Sequence, residues 1–145
     1  MKNKIETRSY EKRTFSGTQV RAEADFTLQG IAAAYNTWSN DLGGFKEQIR
    51  PGAFARALRA KQDVKALLNH DPNYVYGRVK NGTLTLTDTS VGLAFRCQLD
   101  KRSSKHQDLY ASVQRGDIDA CSFGFVLAPG GDTWSANGTQ RTLTD

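Results

Sequence analysis

The stretch YGRVKNGTLTLTDTSVGLAFRCQL, residues 76–99, carries the strongest structural signal in the chain. Asn81-Gly82 has the composition of a two-residue hairpin turn, which predicts pairing of Tyr76–Lys80 with Thr83–Thr87. A second turn near Asp88–Ser90 follows. Val91, Leu93, Phe95, Cys97 and Leu99 then recur at every second position, the period of a strand with one buried face. Working upstream, Ala24–Tyr35 is strand-like, with Phe26 and Leu28 alternating against Asp25, Thr27 and Gln29. Trp38–Gly44 is a loop of turn formers. Pro51 suits the first position of a helix running to about Lys61, with Phe54, Ala57 and Leu58 at helical spacing. Val64–Asn69 is a short apolar strand leading into His70-Asp71-Pro72, where the proline should end pairing. Downstream, Ser104 and Gln107 form a capping-box pattern, Leu109 and Val113 share one helix face, and Gly116 supplies a stop. Ala120–Leu127 is a further strand, and Asn137-Gly138 marks a last hairpin.

Strands joined by hairpins, with two helices in long connections, predict a mainly β fold: an antiparallel sheet or barrel carrying a few α-helices, not a doubly wound parallel sheet. Residues 1–22 are polar and charged and are expected to form an arm or a peripheral strand.

The 145 residues and 38% apolar content fit one domain with a real core. No apolar run approaches the roughly 20 residues that span a bilayer, and Met1–Arg13 lacks the apolar stretch of a secretory signal. No membrane partner is expected. Cys97 and Cys121 allow at most one disulfide, and no Cys/His cluster suggests a metal. No cofactor is expected. The net charge of +5 invites a nucleic-acid reading, but 15 acidic residues are interspersed and no basic run exceeds two, so nucleic acid is not the expected partner.

Chemistry rests on few residues. His70 stands at a strand end among polar neighbours, a position suited to a general base or to a hydrogen-bonded structural histidine. His106, in Ser103-Ser-Lys-His106, looks like a solvated helix residue. Ser122 and Cys121 should face opposite ways on their strand. Cys121 would lie with Phe123, Phe125 and Leu127 as a core thiol, and Ser122 would lie with Gly124, which leaves space for a substrate backbone. Cys97 falls in the apolar row and is expected in the core.

Several motifs together resemble one family. Gly30-Ile-Ala-Ala-Ala-Tyr-Asn36, Asp41-Leu-Gly-Gly-Phe-Lys-Glu47 and Ile49-Arg-Pro-Gly-Ala-Phe54 are similar to the opening of the tailed-phage prohead maturation proteases. Ala66-Leu-Leu-Asn-His-Asp71 resembles that family's histidine motif. Gly77-Arg78, Gly82–Leu86, Gly92-Leu93 and Val113–Ile118 follow in the family's order, and Cys121-Ser-Phe-Gly-Phe125 resembles its serine motif.

The resemblance implies a serine endopeptidase related to the herpesvirus assemblins, with an antiparallel β-barrel wrapped by helices, Ser122 as nucleophile and His70 as general base. It implies cleavage of phage scaffold, or of the scaffold-like segment of the major capsid protein, and of the protease itself. The place would be the host cytoplasm, inside the assembling prohead, with self-association as in related enzymes. The protease domain is expected over residues 23–145. A Glu-Val-Ser-like segment usual in the family is not in this sequence, so the domain is expected to be truncated and its third catalytic residue to lie beyond Asp145. By analogy with the herpesvirus enzymes, His106 is an alternative third member. An alternative function is a non-catalytic module that binds capsid or scaffold on the same fold.

Overall fold

The computed structural model describes residues 10–13 and 17–145. Within them, the largest sheet is built around the deciding stretch. Strand β2 (Gln19–Glu23) pairs with β3 (Thr27–Ala34), β3 with β8 (Gly92–Gln98), and β8 with β7 (Leu84–Asp88), all antiparallel. The alternation in β8 works as expected for Leu93, Cys97 and Leu99, which are buried, but Val91 sits in the turn before the strand and is exposed. Phe26 also leaves the strand expected for it. It lies at positive φ in the β2–β3 turn, with its ring 4.6 Å from Tyr110.

Asn81-Gly82 forms a turn, closed by a bond from the Gly82 N–H to Val79 O, but the segments it joins do not pair with each other. Preceding it, β6 (Asp71–Arg78) pairs with β5 (Lys65–Leu68), while β7 after it belongs to the large sheet. The hydrogen bonds show why. Val79 N–H donates to Val64 O, Thr83 O accepts from Gln98 N–H, and the Thr83 hydroxyl occupies the Arg78 N–H. Each side of the turn has its backbone groups engaged elsewhere before a hairpin ladder can start.

The helix expected over Pro51–Lys61 is regular only over Ala55–Arg59 (α1), because Gly52 has φ +92° and the chain turns once more before the helix begins. The second helix, α2, runs Ser104–Arg115 and stops where Gly116 adopts the left-handed conformation at φ +85°. Its expected capping box is not formed. Ser103 is the N-cap, without a side-chain cap bond, and the Gln107 amide donates to Lys101 O. Val113 is buried and Leu109 half-buried; both pack with Leu28, Tyr76, Leu84, Cys97 and Leu99 in one core cluster.

A barrel is not what these strands make. Among the described residues they form four separate open sheets of four, three, two and two strands, in a mixed α/β arrangement with no closed, herpesvirus-protease-like β-barrel. Closure requires every strand to have a neighbour on both sides. Here β2 and β7 are edges of the large sheet, and the β5–β6 ribbon loses register at two places. The pairing is not purely antiparallel either. In the three-stranded sheet, β11 (Gln140–Leu143) pairs antiparallel with β10 (Asp132–Trp134) through the expected Asn137-Gly138 turn, but parallel with β4 (Lys46–Ile49).

Within the arm expected over residues 1–22, residues 1–9 and 14–16 lie outside the described residues. Tyr10–Arg13 is strand β1, paired antiparallel with β9 (Phe123–Val126). It is fixed from below by charge. Glu47 of β4 has no exposed surface, and it accepts from Arg13 Nε at 2.7 Å and from Arg141 at 3.1 Å. Glu11 bonds both guanidinium groups as well, and Asp132 accepts from Arg141 Nε at 2.8 Å. Burial pushes the Glu47 carboxyl up, and the two arginines pull it back. The network joins β1, β4, β10 and β11. A buried ion left without its partner is strongly destabilising. Glu47→Ala is therefore expected to lower the unfolding free energy by about 3–5 kcal/mol in urea titrations, with Glu11→Ala, on the wetter side, costing less. A loss under about 1 kcal/mol for Glu47→Ala would mean that the network is not the anchor of β1.

Candidate active site

His70 is held by a turn, not by a strand end. Leu68 and Asp71 are cross-strand partners in the β5–β6 ribbon, which leaves Asn69-His70 as a two-residue loop. Both have positive φ, +51° and +55°, the pair of left-handed residues that a type I′ hairpin demands. Asparagine and histidine tolerate that region better than most side chains, yet each position still costs on the order of 1 kcal/mol. Pro72 falls inside β6, within the stretch between the Asp71 and Val75 pairings where the ladder is interrupted. The proline therefore does not end the strand. It occupies a bulge, where its missing N–H breaks no ladder bond.

Ser122 stands one residue before β9, so the strand is shorter than the sequence pattern suggests. The approach to it is tied to β2: the Val20 N–H donates to Asp119 O, and the Cys121 thiol lies 3.5 Å from Gln19 O. Phe123, Phe125 and Leu127 pack against the core of Ala33, Tyr35, Ile49, Ala53, Leu93 and Leu143, and Phe123 meets Phe54 edge-on at 5.7 Å. Anchoring that row turns the alternate face of β9, with Gly124, toward the other side. The space above Gly124 is not open as the sequence suggested. A Cβ there would lie 1.6 Å from the Tyr10 hydroxyl oxygen, so the phenol of β1 fills it.

These placements bring His70 Nε2 and the Ser122 hydroxyl oxygen into a hydrogen bond across 52 positions of sequence. Burial, and secondly the charge of Lys12, hold the His70 imidazole below its usual pKa, which favours the neutral ring. With its proton on Nδ1, the ring accepts the serine proton at Nε2. Among the described residues no carboxylate is hydrogen-bonded to Nδ1. The Asp71 carboxylate accepts the Asn73 N–H at 2.9 Å. His106 is not brought to the pair: its Nδ1 accepts the Asp100 N–H at 2.9 Å and its ring packs 4.9 Å from that of Tyr76.

The sequence allowed a peripheral strand within residues 1–22 but did not place β1 beside β9. The only signal available was the alternation of Tyr10 and Lys12 with Glu11 and Arg13, which separates one face of the strand from a second that carries the ion pairs.

A serine hydroxyl bonded to a neutral imidazole is the arrangement from which serine hydrolases draw their nucleophile. The comparison with known families agrees. The family description "Caudovirus prohead serine protease" matches residues 13–145, and the chain belongs to that family. It is a serine-type endopeptidase, a phage prohead maturation protease that works with capsid and scaffold proteins. No curated protein and no solved structure matches the chain significantly.

The neighbouring thiol differs in kind. Burial pushes Cys121 up to about 11, and Cys97, buried beneath Tyr76 O, likewise to about 11. Thiolate is the reactive form. Iodoacetamide at neutral pH is expected to label Cys121 on the order of a hundredfold more slowly than an ordinary thiol, and labelling followed by mass spectrometry measures this. Rapid alkylation with parallel loss of cleavage would instead make Cys121 the nucleophile.

Proposed function

We propose that Ser122 is the nucleophile and His70 the general base of this protease. The reading is carried by the hydrogen bond between His70 Nε2 and the Ser122 hydroxyl. As Ser122 Oγ adds to the scissile carbonyl carbon, His70 Nε2 takes the hydroxyl proton. The resulting imidazolium gives that proton to the departing amine nitrogen as the C–N bond breaks, leaving an ester on Ser122. A water then attacks the ester, again losing its proton to His70, and the serine is restored as the carboxyl product leaves.

The substrate in this reading is phage scaffold or the scaffold-like segment of the major capsid protein, with the protease itself as a further target, inside the assembling prohead in the host cytoplasm. Family membership supports this assignment. Residues 23–145 are the catalytic domain in this reading, with the strand at Tyr10–Arg13 packed beside it.

Ser122→Ala and His70→Ala should each lower the cleavage rate of co-expressed capsid precursor by about a thousandfold or more, with the far-UV spectrum unchanged. Undiminished cleavage by Ser122→Ala would remove it from the mechanism. The pH profile provides a second check. A lowered pKa keeps His70 neutral further into acid, so kcat/KM should fall only as pH drops through a value below 6.5, the usual histidine value. An acidic limb centred above 6.5 would contradict the environment described for His70.

A further inference from the structure

Strand β1 has two faces of opposite character. Glu11 and Arg13 turn into the ion network with Glu47 and Arg141. Tyr10 and Lys12 lie on the other face, shared across the antiparallel pair with Gly124 and Val126. The register sets Lys12 directly opposite Gly124, which offers no side chain, two residues from Ser122. Lys12 is exposed, and among the described residues no carboxylate pairs with its ammonium. Its charge nevertheless reaches the His70 ring. Asp71, next to His70 on the same hairpin, has its carboxylate engaged by the Asn73 N–H, and the segment just before β9 contributes the neutral Ser122.

β1 is also poorly free to move. Its outer neighbours in sequence are locked through a carboxylate with no exposed surface, so the position of Lys12 is fixed by residues that themselves touch no substrate. The nearby arginines are already committed: Arg13 to Glu11 and Glu47, and Arg141 to Glu11, Glu47 and Asp132. Among the described residues around the pair, Lys12 is the positive charge left for a ligand.

We propose that Lys12 is a specificity-determining residue, a cation with no carboxylate partner among the described residues, held beside the Ser122–His70 pair, that receives an acidic side chain of the substrate within a few residues of the scissile bond. The proposal rests on the reading of Ser122 and His70 given above. A carboxylate docked there replaces water around an ammonium that no carboxylate of the described residues engages. It also finds a chain whose net charge of +5 draws acidic peptides toward the surface.

The test uses the full chain and an octapeptide library with glutamate or glutamine fixed at each position in turn. The wild type should prefer glutamate over glutamine by about fivefold at one position near the cut, and the preference should shrink at high salt. Lys12→Arg should keep the preference, Lys12→Met should bring the ratio to about one, and Lys12→Glu should invert it. A ratio unmoved in Lys12→Met overturns the proposal. A measurement that needs no cleavage stands beside it: the His70 imidazole, titrated by NMR, should have a higher midpoint in Lys12→Met than in the wild type, and an unmoved midpoint overturns the proposal equally. Ser122→Ala separates the two readings. If that variant is inactive while the glutamate ratio ignores Lys12, the Lys12 proposal alone falls. If cleavage survives Ser122→Ala, the nucleophile assignment falls, whatever the ratio.

Discussion

The carboxylate of Glu47 is the constraint on which the rest of the arrangement hangs. It lies in the interior with no exposed surface, and a buried carboxylate is tolerable only when cations and hydrogen bonds surround it. Arg13 and Arg141 supply both. Because one comes from β1 and the other from β11, satisfying a single charge fixes two strands that are far apart in the sequence. β1 then aligns with β9, and β9 begins one residue after Ser122. Arg13 and Arg141 are held a second time, over the rings of Phe125 and Trp134, at 5.7 and 5.6 Å. Such cation–π contacts make the guanidinium planes hard to replace by lysine.

On the opposite side of the Ser122–His70 hydrogen bond the device is conformational. Asn69 and His70 are both kept in the left-handed region by the closed end of the β5–β6 ribbon. A histidine at the tip of a tight turn has its backbone set by the turn and its ring projecting beyond the ladder. One partner is thus positioned by a buried charge and the other by a hairpin, and neither lies inside a regular strand.

Much of this was legible in the sequence, for identifiable reasons. The Gly116 stop and the Asn137-Gly138 turn are local signals that appear where the residues point, and the β8 alternation does so for Leu93, Cys97 and Leu99 but not for Val91. His70 and Ser122 were legible through their motifs, and the hydrogen bond between them joins the two. What could not be read was partner choice. Asn81-Gly82 makes its turn, but which strand each arm joins is decided by bonds to Val64 and Gln98, both far from the turn in sequence. The barrel expectation failed for the same reason, since closure depends on all pairings at once and a parallel β4–β11 contact leaves no mark on local periodicity. The role of Tyr10–Arg13 was hidden because four polar residues look solvated until the buried carboxylate they answer is located. The open space expected above Gly124 failed with it, because the ring that fills that space comes from the same strand.

The span of the ion network has a kinetic meaning. Arg141 and Glu11 are separated by 130 positions, and Arg141 and Glu47 by 94. Closing loops of that size is slow relative to forming hairpins and helices, because the chain entropy is lost before the contact is gained. The β5–β6 and β7–β8 ribbons can form early from near neighbours, whereas the clamp on β1 waits for β11, the last described strand to leave the ribosome. A chain still being synthesised therefore holds its histidine turn but lacks the final brace on the strand that follows its serine. The brace on β1 is thus the last of these contacts to form, after the local ribbons are in place.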